Sequence, residues 1–149
     1  MWKLNTSERI AHWRNFRKNL NQFDIDEAVR LTVDFWHGCP FVPYYLDPEQ
    51  PDAWPTPWEL VSENYYCDLA KCLGLLYTLY FTDHGSMLDP EIRVYYDSTS
   101  RHAYNLAVLC QGKYVLNFRD DMIVNTESLN KNLILKHCYS NKELKLQEY

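Results

Sequence analysis

Apolar residues recur every three or four positions in two stretches near the start of the chain, which is the pattern of amphipathic helices. The first stretch places four apolar side chains on one face: Ile10, Trp13, Phe16 and Leu20. The second stretch begins after Asp24, an acid of the kind that caps helices, and should end near Gly38. We therefore expect residues 1–38 to form a helical N-terminal part.

Six of the seven prolines follow in a segment without helical or strand periodicity, between Pro40 and Pro57. A proline pushes the residue before it toward an extended conformation, so the segment should be stiff rather than a flexible linker. Long irregular segments inside compact domains often have a function. We interpret residues 39–56 either as a belt that covers an apolar face or as one wall of a groove.

A central helix is predicted over residues 57–82. Thr56-Pro57-Trp58-Glu59 is a capping box with proline at the first helical position, and apolar residues continue at helical spacing after it. A narrow stripe of small or polar residues includes Gly74, where we expect the helix to pack closely against the sheet. Alternatively, the helix restarts at Asn64, a good N-cap, which would place Cys67 at its third residue.

From residue 90 the hydrophobic period changes to that of strands. The predicted strands are Glu91–Asp97, His102–Cys110, Lys113–Arg119 and Asn132–Tyr139. A two-residue turn at Gln111-Gly112 joins the second strand to the third, so residues should pair symmetrically about it. Residues 90–140 should form an antiparallel sheet. The 149 residues then make one α+β domain, in which N-terminal helices and a central helix pack on a small antiparallel sheet.

The charge is concentrated in the middle of the chain, where residues 31–90 contain one base, Lys71, against nine acids. With a formal net charge of −5, the chain lacks the broad basic surface that non-specific nucleic-acid binding requires. One basic cluster interrupts this pattern on the first helix: Arg9, His12, Arg14, Arg17 and Lys18. We interpret these residues as a solvated helix face, with a nucleic-acid or partner-binding arm as the alternative.

Composition is that of an ordinary globular protein, with 46% hydrophobic and 23% charged residues. No stretch is long and apolar enough for a membrane helix, and the first five residues offer no hydrophobic signal region. The five cysteines form an odd set without disulfide spacing, which favours reduced thiols. We expect a cytoplasmic protein without membrane contact, and neither a cofactor nor a metal is predicted.

One arrangement of residues points to catalysis: a cysteine on the central helix, a histidine that opens a strand, and a polar residue on the next strand. The segments are Cys67-Asp68-Leu69-Ala70, His102-Ala103-Tyr104 and Gly112-Lys113-Tyr114-Val115-Leu116-Asn117. They resemble the transglutaminase-like branch of the papain-like thiol superfamily. There, a helix-borne cysteine precedes a strand that begins His-Ala-Trp and a Gly-Lys-Trp strand that ends in aspartate. The resemblance covers about residues 60–120 and implies a papain-like core.

The resemblance implies that Cys67 is the nucleophile, His102 the base and Asn117 the third member of a triad. A thiolate attacks where a thiol does not, and a helix N-terminus and a neighbouring imidazole both stabilise a thiolate. The third residue would hold the imidazole in its working tautomer. The implied activity is acyl transfer or amide hydrolysis on a protein or peptide, with Cys67 the most reactive of the five thiols.

The third position departs from the pattern of that family. Symmetric pairing about the hairpin turn sets Asn117 opposite Leu106, on the face of His102 but farther along the strand, and directs Arg119 toward His102. Asp120, just past the strand, is a reserve candidate for the third role. The alternative function is a non-catalytic member of the same fold, with the aromatic belt as its contact surface.

A second resemblance covers Trp36 through Tyr80. Its segments are Leu46-Asp47-Pro48, Trp54-Pro55-Thr56-Pro57-Trp58-Glu59-Leu60, Glu63-Asn64 and Leu73-Gly74-Leu75-Leu76-Tyr77-Thr78-Leu79. They are similar to a group of small proteins of tailed bacteriophages. This resemblance implies a virus-encoded structural or host-interaction protein, located in the host cytoplasm or the virion.

Overall fold

A computed structural model describes residues 1–119 and 122–146 of the chain. The helices of this part are α1 Thr6–Leu20, α2 Ile25–His37, α3 Pro57–Glu63 and α4 Asp68–Tyr80. Its strands are β1 Glu91–Asp97, β2 His102–Leu109, β3 Tyr114–Leu116 and β4 Leu133–Tyr139. All neighbouring strands are antiparallel, in the order β3-β2-β1-β4. The α+β class is confirmed, and no helix in the described residues is long and apolar enough to cross a membrane.

Both N-terminal helices begin at a capping side chain, and for α2 it is the predicted one. The Asp24 side chain accepts a hydrogen bond from the Glu27 backbone N–H at 2.9 Å, and α2 ends at the C-cap Gly38. The side chain of Asn5 caps α1 in the same way, accepting from the Glu8 N–H at 3.0 Å. The expected bounds of the second helix are therefore confirmed.

The basic cluster of α1 is not a uniformly solvated face, which corrects that interpretation. Arg9 and Arg17 are buried. The Arg9 guanidinium donates hydrogen bonds to the carbonyl oxygens of Leu4, Val61 and Ser62, at 2.6, 2.7 and 3.0 Å. These carbonyls compensate for the loss of solvent, which is why a charged side chain can be buried here. The proposed binding arm thus loses two of its five basic residues to the interior.

The predicted central helix is interrupted, so the single helix over residues 57–82 is wrong. Helix α3 begins with the predicted capping box of Thr56 and Glu59 but ends after two turns. Asn64 then adopts a left-handed conformation with φ 59°, which asparagine tolerates better than most residues, and acts as the C-cap of α3. The belt is hydrogen-bonded to the residues between the two helices, since the Val42 N–H donates to the Tyr66 carbonyl at 3.1 Å. Helix α4 restarts at Asp68, so Cys67 becomes its N-cap.

Gly74 packs against a helix rather than against the sheet, which corrects the sequence-based expectation. A Cβ atom at this position would lie 2.4 Å from the indole ring of Trp36 on α2. Trp36 is fully buried. The small residue therefore makes room for a large aromatic side chain between α2 and α4.

The hairpin between β2 and β3 has the predicted register. Ala107 pairs with Leu116 and Leu109 with Tyr114, symmetrically about Gln111-Gly112. Cys110, Gln111 and Gly112 all have positive φ, 55°, 59° and 96°, and residues 110–113 separate the two strands, so the connection is longer than the predicted two-residue turn. Strand β3 is shorter than predicted and ends at Leu116.

The two faces of the sheet support different clusters. On the inner face, Ala107 and Leu109 join the main core with α4. On the outer face, Leu106, Val108 and Val115 form a separate small cluster. Because side chains alternate along a strand, the even-numbered residues of β2 belong to the outer face.

The proline-rich segment is a belt that packs over the edge of the sheet. Trp54 is buried, and its indole N–H donates to the Asp47 carbonyl at 2.9 Å. The Tyr139 hydroxyl of β4 donates to the Pro48 carbonyl at 2.7 Å. The belt also forms one wall of a groove of about 440 Å³, so both sequence-based interpretations describe part of the arrangement.

Candidate functional site

Cys67 lies at the start of α4 and inside the main core. It is the N-cap residue, its backbone carbonyl accepts the Lys71 N–H at 2.9 Å, and only 5% of its surface is exposed. Its thiol makes no capping hydrogen bond. Cys67 thus has the helix-terminal position expected for a catalytic cysteine, but little access to solvent.

Asn117 reaches the same end of α4 through an unusual backbone conformation. Its φ of 73° is left-handed, so the strand alternation that would place it on the outer face stops at Leu116. The Asn117 amide donates to the carbonyls of Asp68 and Asn105, both at 3.1 Å, and to the sulfur of Cys72 at 3.3 Å. Asn117 therefore ties β3 to the first turns of α4 and to β2.

The thiol that Asn117 contacts is Cys72, one turn farther along α4 than Cys67. The Cys72 thiol donates to the Asn105 carbonyl at 2.9 Å, and burial raises its pKa far above the ordinary value. At neutral pH this group is a protonated donor within a structural network, not a nucleophile. The side-chain oxygen of Asn105 is also buried, without a hydrogen-bond partner among the described residues.

The remaining thiols are less suited to reaction than free cysteine. Burial is the main factor that raises the pKa values of Cys39, Cys110 and Cys138, that of Cys39 to about 11. Hydrogen bonding to Glu91 raises the pKa of Cys138 further.

His102 lies on the opposite face of the sheet from Cys67. It is the first residue of β2, it is exposed, and it pairs with Asp97 of β1. Its ring packs edge-on against Tyr104, two residues along, with the ring centroids 4.6 Å apart. Since both are even-numbered residues of β2, both belong to the outer face. The structure brings Asn117 to the helix terminus of Cys67, but it does not bring His102 there.

Arg119 and Asp120 were the other residues that the sequence placed near His102. Arg119 is exposed and lies with Asp97 and Tyr104 around a cavity on the outer face. Its guanidinium is 5.6 Å from the ring centroid of Phe118. Asp120 lies outside the described residues.

A second histidine, which the sequence analysis did not single out, lies on the inner face. His137 of β4 pairs with Val94, and its Nε2 is 3.7 Å from a carboxylate oxygen of Glu49 in the belt. Both line the groove of about 440 Å³, together with Tyr96 and Ala103. A register shift in β4 beside Lys136 interrupts the alternation of side chains between the two faces. The face on which His137 lies therefore cannot be predicted from the sequence pattern of the strand.

The described residues do not suggest a metal centre. Within residues 1–119 and 122–146, no three histidine, cysteine, aspartate or glutamate side chains are grouped so that they could hold an ion.

No protein-family model matches the chain, and no curated protein matches it in sequence.

Three solved structures of LapG from Legionella pneumophila are similar in fold. The calcium-bound form has a TM-score of 0.72 at 13% identity, over 93% of this chain and 78% of that chain. A second LapG structure gives 0.68 at 15% identity, over 90% and 74% of the two chains. The EGTA-treated form gives 0.70 at 15% identity, over 90% and 73%. The expected transglutaminase-like fold is thereby confirmed, while the resemblance to bacteriophage proteins stays a prediction.

Proposed function

We propose that this chain is a partner-binding protein built on a transglutaminase-like fold, and that Cys67 does not serve as a nucleophile. The observation that carries the proposal is the position of His102 on the outer face, across the sheet from Cys67. A base must come within hydrogen-bond reach of the group it deprotonates. His102 would have to cross the sheet to do so, and the burial of Cys67 adds to the obstacle.

The contact surface we propose is an aromatic patch formed by Phe41, Tyr44 and Tyr65. These side chains are 63%, 96% and 56% exposed. Contiguous exposed patches of large apolar side chains mark interaction surfaces, and aromatic residues are enriched at protein interfaces. Beside the patch lies a groove of about 630 Å³, whose lining includes Trp2, Val42 and Tyr65. The patch and the groove together can accept the apolar side chains of a partner.

The charge around the patch indicates the chemistry of the partner. Asp47 and Glu49 follow Tyr44 along the belt, and Glu63 ends α3 just before Tyr65. All three are exposed, and they outnumber the one base that lines the adjacent groove, Lys3. Complementary charge speeds association and fixes the orientation of a complex. We therefore propose a protein or peptide partner that presents aromatic or aliphatic side chains next to lysine or arginine.

The second candidate function is thiol-dependent acyl transfer or amide hydrolysis through Cys67. It is favoured by the position of Cys67 at the N-cap of α4, where free backbone N–H groups converge. In this candidate Cys67 attacks a protein or peptide amide, and His102 and Asn117 keep the roles that the resemblance implies.

Thiol labelling separates the two candidates. In a pulse of iodoacetamide at pH 7 followed by peptide mass mapping, we expect the exposed Cys138 to be modified before the buried Cys67. We also expect His102→Ala to leave the labelling rate of Cys67 unchanged within about twofold, because no imidazole contact is lost. If Cys67 labels first, and His102→Ala slows it tenfold or more, the hydrolase candidate is correct.

Peptide selection tests the aromatic patch. Random peptides selected on the immobilised protein should be enriched in aromatic or aliphatic residues next to lysine or arginine. Tyr44→Ser and Phe41→Ser should each weaken the selected peptides at least tenfold, while Cys67→Ala leaves their affinity unchanged. Met87→Ser is the matched control, since Met87 is also a large exposed side chain but lies outside the patch. Peptides insensitive to both patch variants, or dependent on Cys67, would contradict the proposal.

A further inference from the structure

The outer face of the sheet carries a row of three aromatic rings, from Tyr95, Tyr104 and Phe118. Tyr95 and Tyr104 pair directly across β1 and β2. The rings of Tyr104 and Phe118 are 5.1 Å apart between centroids and inclined by 36°, and the Arg119 guanidinium lies 5.6 Å from the Phe118 centroid. These aromatic side chains are only partly buried, so a flat ligand can stack against them.

A partly enclosed cavity of about 240 Å³ lies between Tyr104, Phe118 and the segment that follows β3. Two sets of hydrogen bonds order residues 124–128, one to β3 and one within these residues. Val115 donates its backbone N–H to the Val124 carbonyl at 2.7 Å, and the Ser128 N–H and hydroxyl both donate to the Asn125 side chain at 3.0 Å. Because the cavity is smaller than the roughly 300–1,000 Å³ of typical drug-sized sites, it can enclose one ring system, and a larger substituent would extend out of it toward the exposed Arg119.

The cavity lining offers acceptors as well as donors. Backbone N–H groups of Thr99 and Ser100 hold the pKa of Asp97 below its usual range, so this side chain is an acceptor at neutral pH. The Asn130 side-chain oxygen accepts the Asn132 N–H at 3.1 Å, which leaves its amide nitrogen as a donor. Arg119 adds a permanent positive charge.

A nucleotide matches this combination. Its base is planar for stacking, its edge carries both amino donors and ring-nitrogen acceptors, and its phosphate is an anion. We propose that this outer-face cavity binds a nucleotide, with the base against Tyr104 and Phe118 and the phosphate on Arg119. The occupant is a free nucleotide rather than a single strand, because a strand needs a basic groove and this chain has a net charge of −5.

Saturation-transfer NMR and calorimetry on the full chain test the proposal with each of the four nucleoside monophosphates. At least one of the four should bind the protein, and ribose 5-phosphate should bind the protein at least tenfold more weakly than that nucleotide. Phe118→Leu keeps an apolar side chain but removes the stacking ring, so it should weaken the nucleotide roughly tenfold. Arg119→Met should weaken the nucleotide while leaving the affinity of the corresponding nucleoside unchanged, which a purely structural role of Arg119 does not explain.

Tyr96→Leu is the matched control, because Tyr96 lies on the same strand as Tyr95 but on the inner face, and it should leave nucleotide binding unchanged. Thermal melting of each variant shows whether a loss of binding reflects unfolding. The proposal is overturned if no nucleotide binds, if ribose 5-phosphate binds as well, or if Phe118→Leu has no effect in a folded protein. Binding seen only with a ten-nucleotide single strand would overturn the choice of a free nucleotide.

Discussion

Replacing Thr78 with valine should lower the free energy of unfolding by about 2–6 kcal/mol, because two buried indole N–H groups lose their acceptor, each at a cost of roughly 1–3 kcal/mol. Thr78 is fully buried on α4. Its hydroxyl accepts from the indole nitrogens of Trp13 and Trp36 at 2.9 and 2.8 Å, and donates to the Gly74 carbonyl at 2.6 Å. One hydroxyl can serve all three groups, since it has one donor and two lone pairs.

Urea denaturation followed by tryptophan fluorescence measures this effect. Thr78→Ser is the matched control, because it keeps the hydroxyl and loses one methyl group, at a cost of about 1 kcal/mol. Equal losses for the valine and serine variants would mean that the hydroxyl contributes nothing. A large loss confined to valine would mean that this hydroxyl joins α1 and α2 to α4, the helix that begins at Cys67.

Gly74→Ala should destabilise the protein by about 1–3 kcal/mol, although alanine is the better helix former by about 1 kcal/mol. The added methyl group would lie 2.4 to 2.7 Å from three atoms of the Trp36 ring. That ring is fully buried, and its N–H is bound to Thr78, so it cannot move aside at low cost.

A double-mutant cycle provides the control for Gly74. The three ring atoms nearest the added methyl belong to the six-membered ring of the Trp36 indole. The phenyl ring of a Trp36→Phe variant is smaller and does not extend as far toward Gly74. In the Trp36→Phe background, Gly74→Ala should therefore be neutral or stabilising. An alanine variant that is more stable than the wild-type chain would show that the close approach does not restrict this position.

Local signals account for the parts of the fold that could be predicted. Asp24 and Thr56 cap helices because their side chains satisfy backbone N–H groups within three residues, whatever the rest of the chain does. The bounds of Glu91–Asp97 agree with the strand pattern, and the hairpin pairs symmetrically about Gln111-Gly112, the residues that mark the turn in the sequence.

The candidate site was less predictable because it depends on single backbone conformations and on packing partners. The left-handed conformation of Asn64 ends α3, and that of Asn117 turns its side chain away from the outer face. Asparagine permits this conformation but does not require it. The stripe around Gly74 indicated a close approach, but the approaching group is an indole from α2, distant in sequence. The register shift in β4 places His137 on the inner face while Leu133 and Leu135 lie on the outer face, which strict alternation along the strand would not allow.

The sequence by itself determined the α+β class, the starts of α2 and α3 and the strand pairing of the hairpin, since each depends on hydrophobic period or on hydrogen bonds within a few residues. It also identified Cys67, His102 and Asn117 as the candidate catalytic residues. Only the tertiary structure decided that α4 covers the face away from His102. Strand alternation tells which residues share a face, whereas the face that a helix covers is chosen by the burial of the whole core.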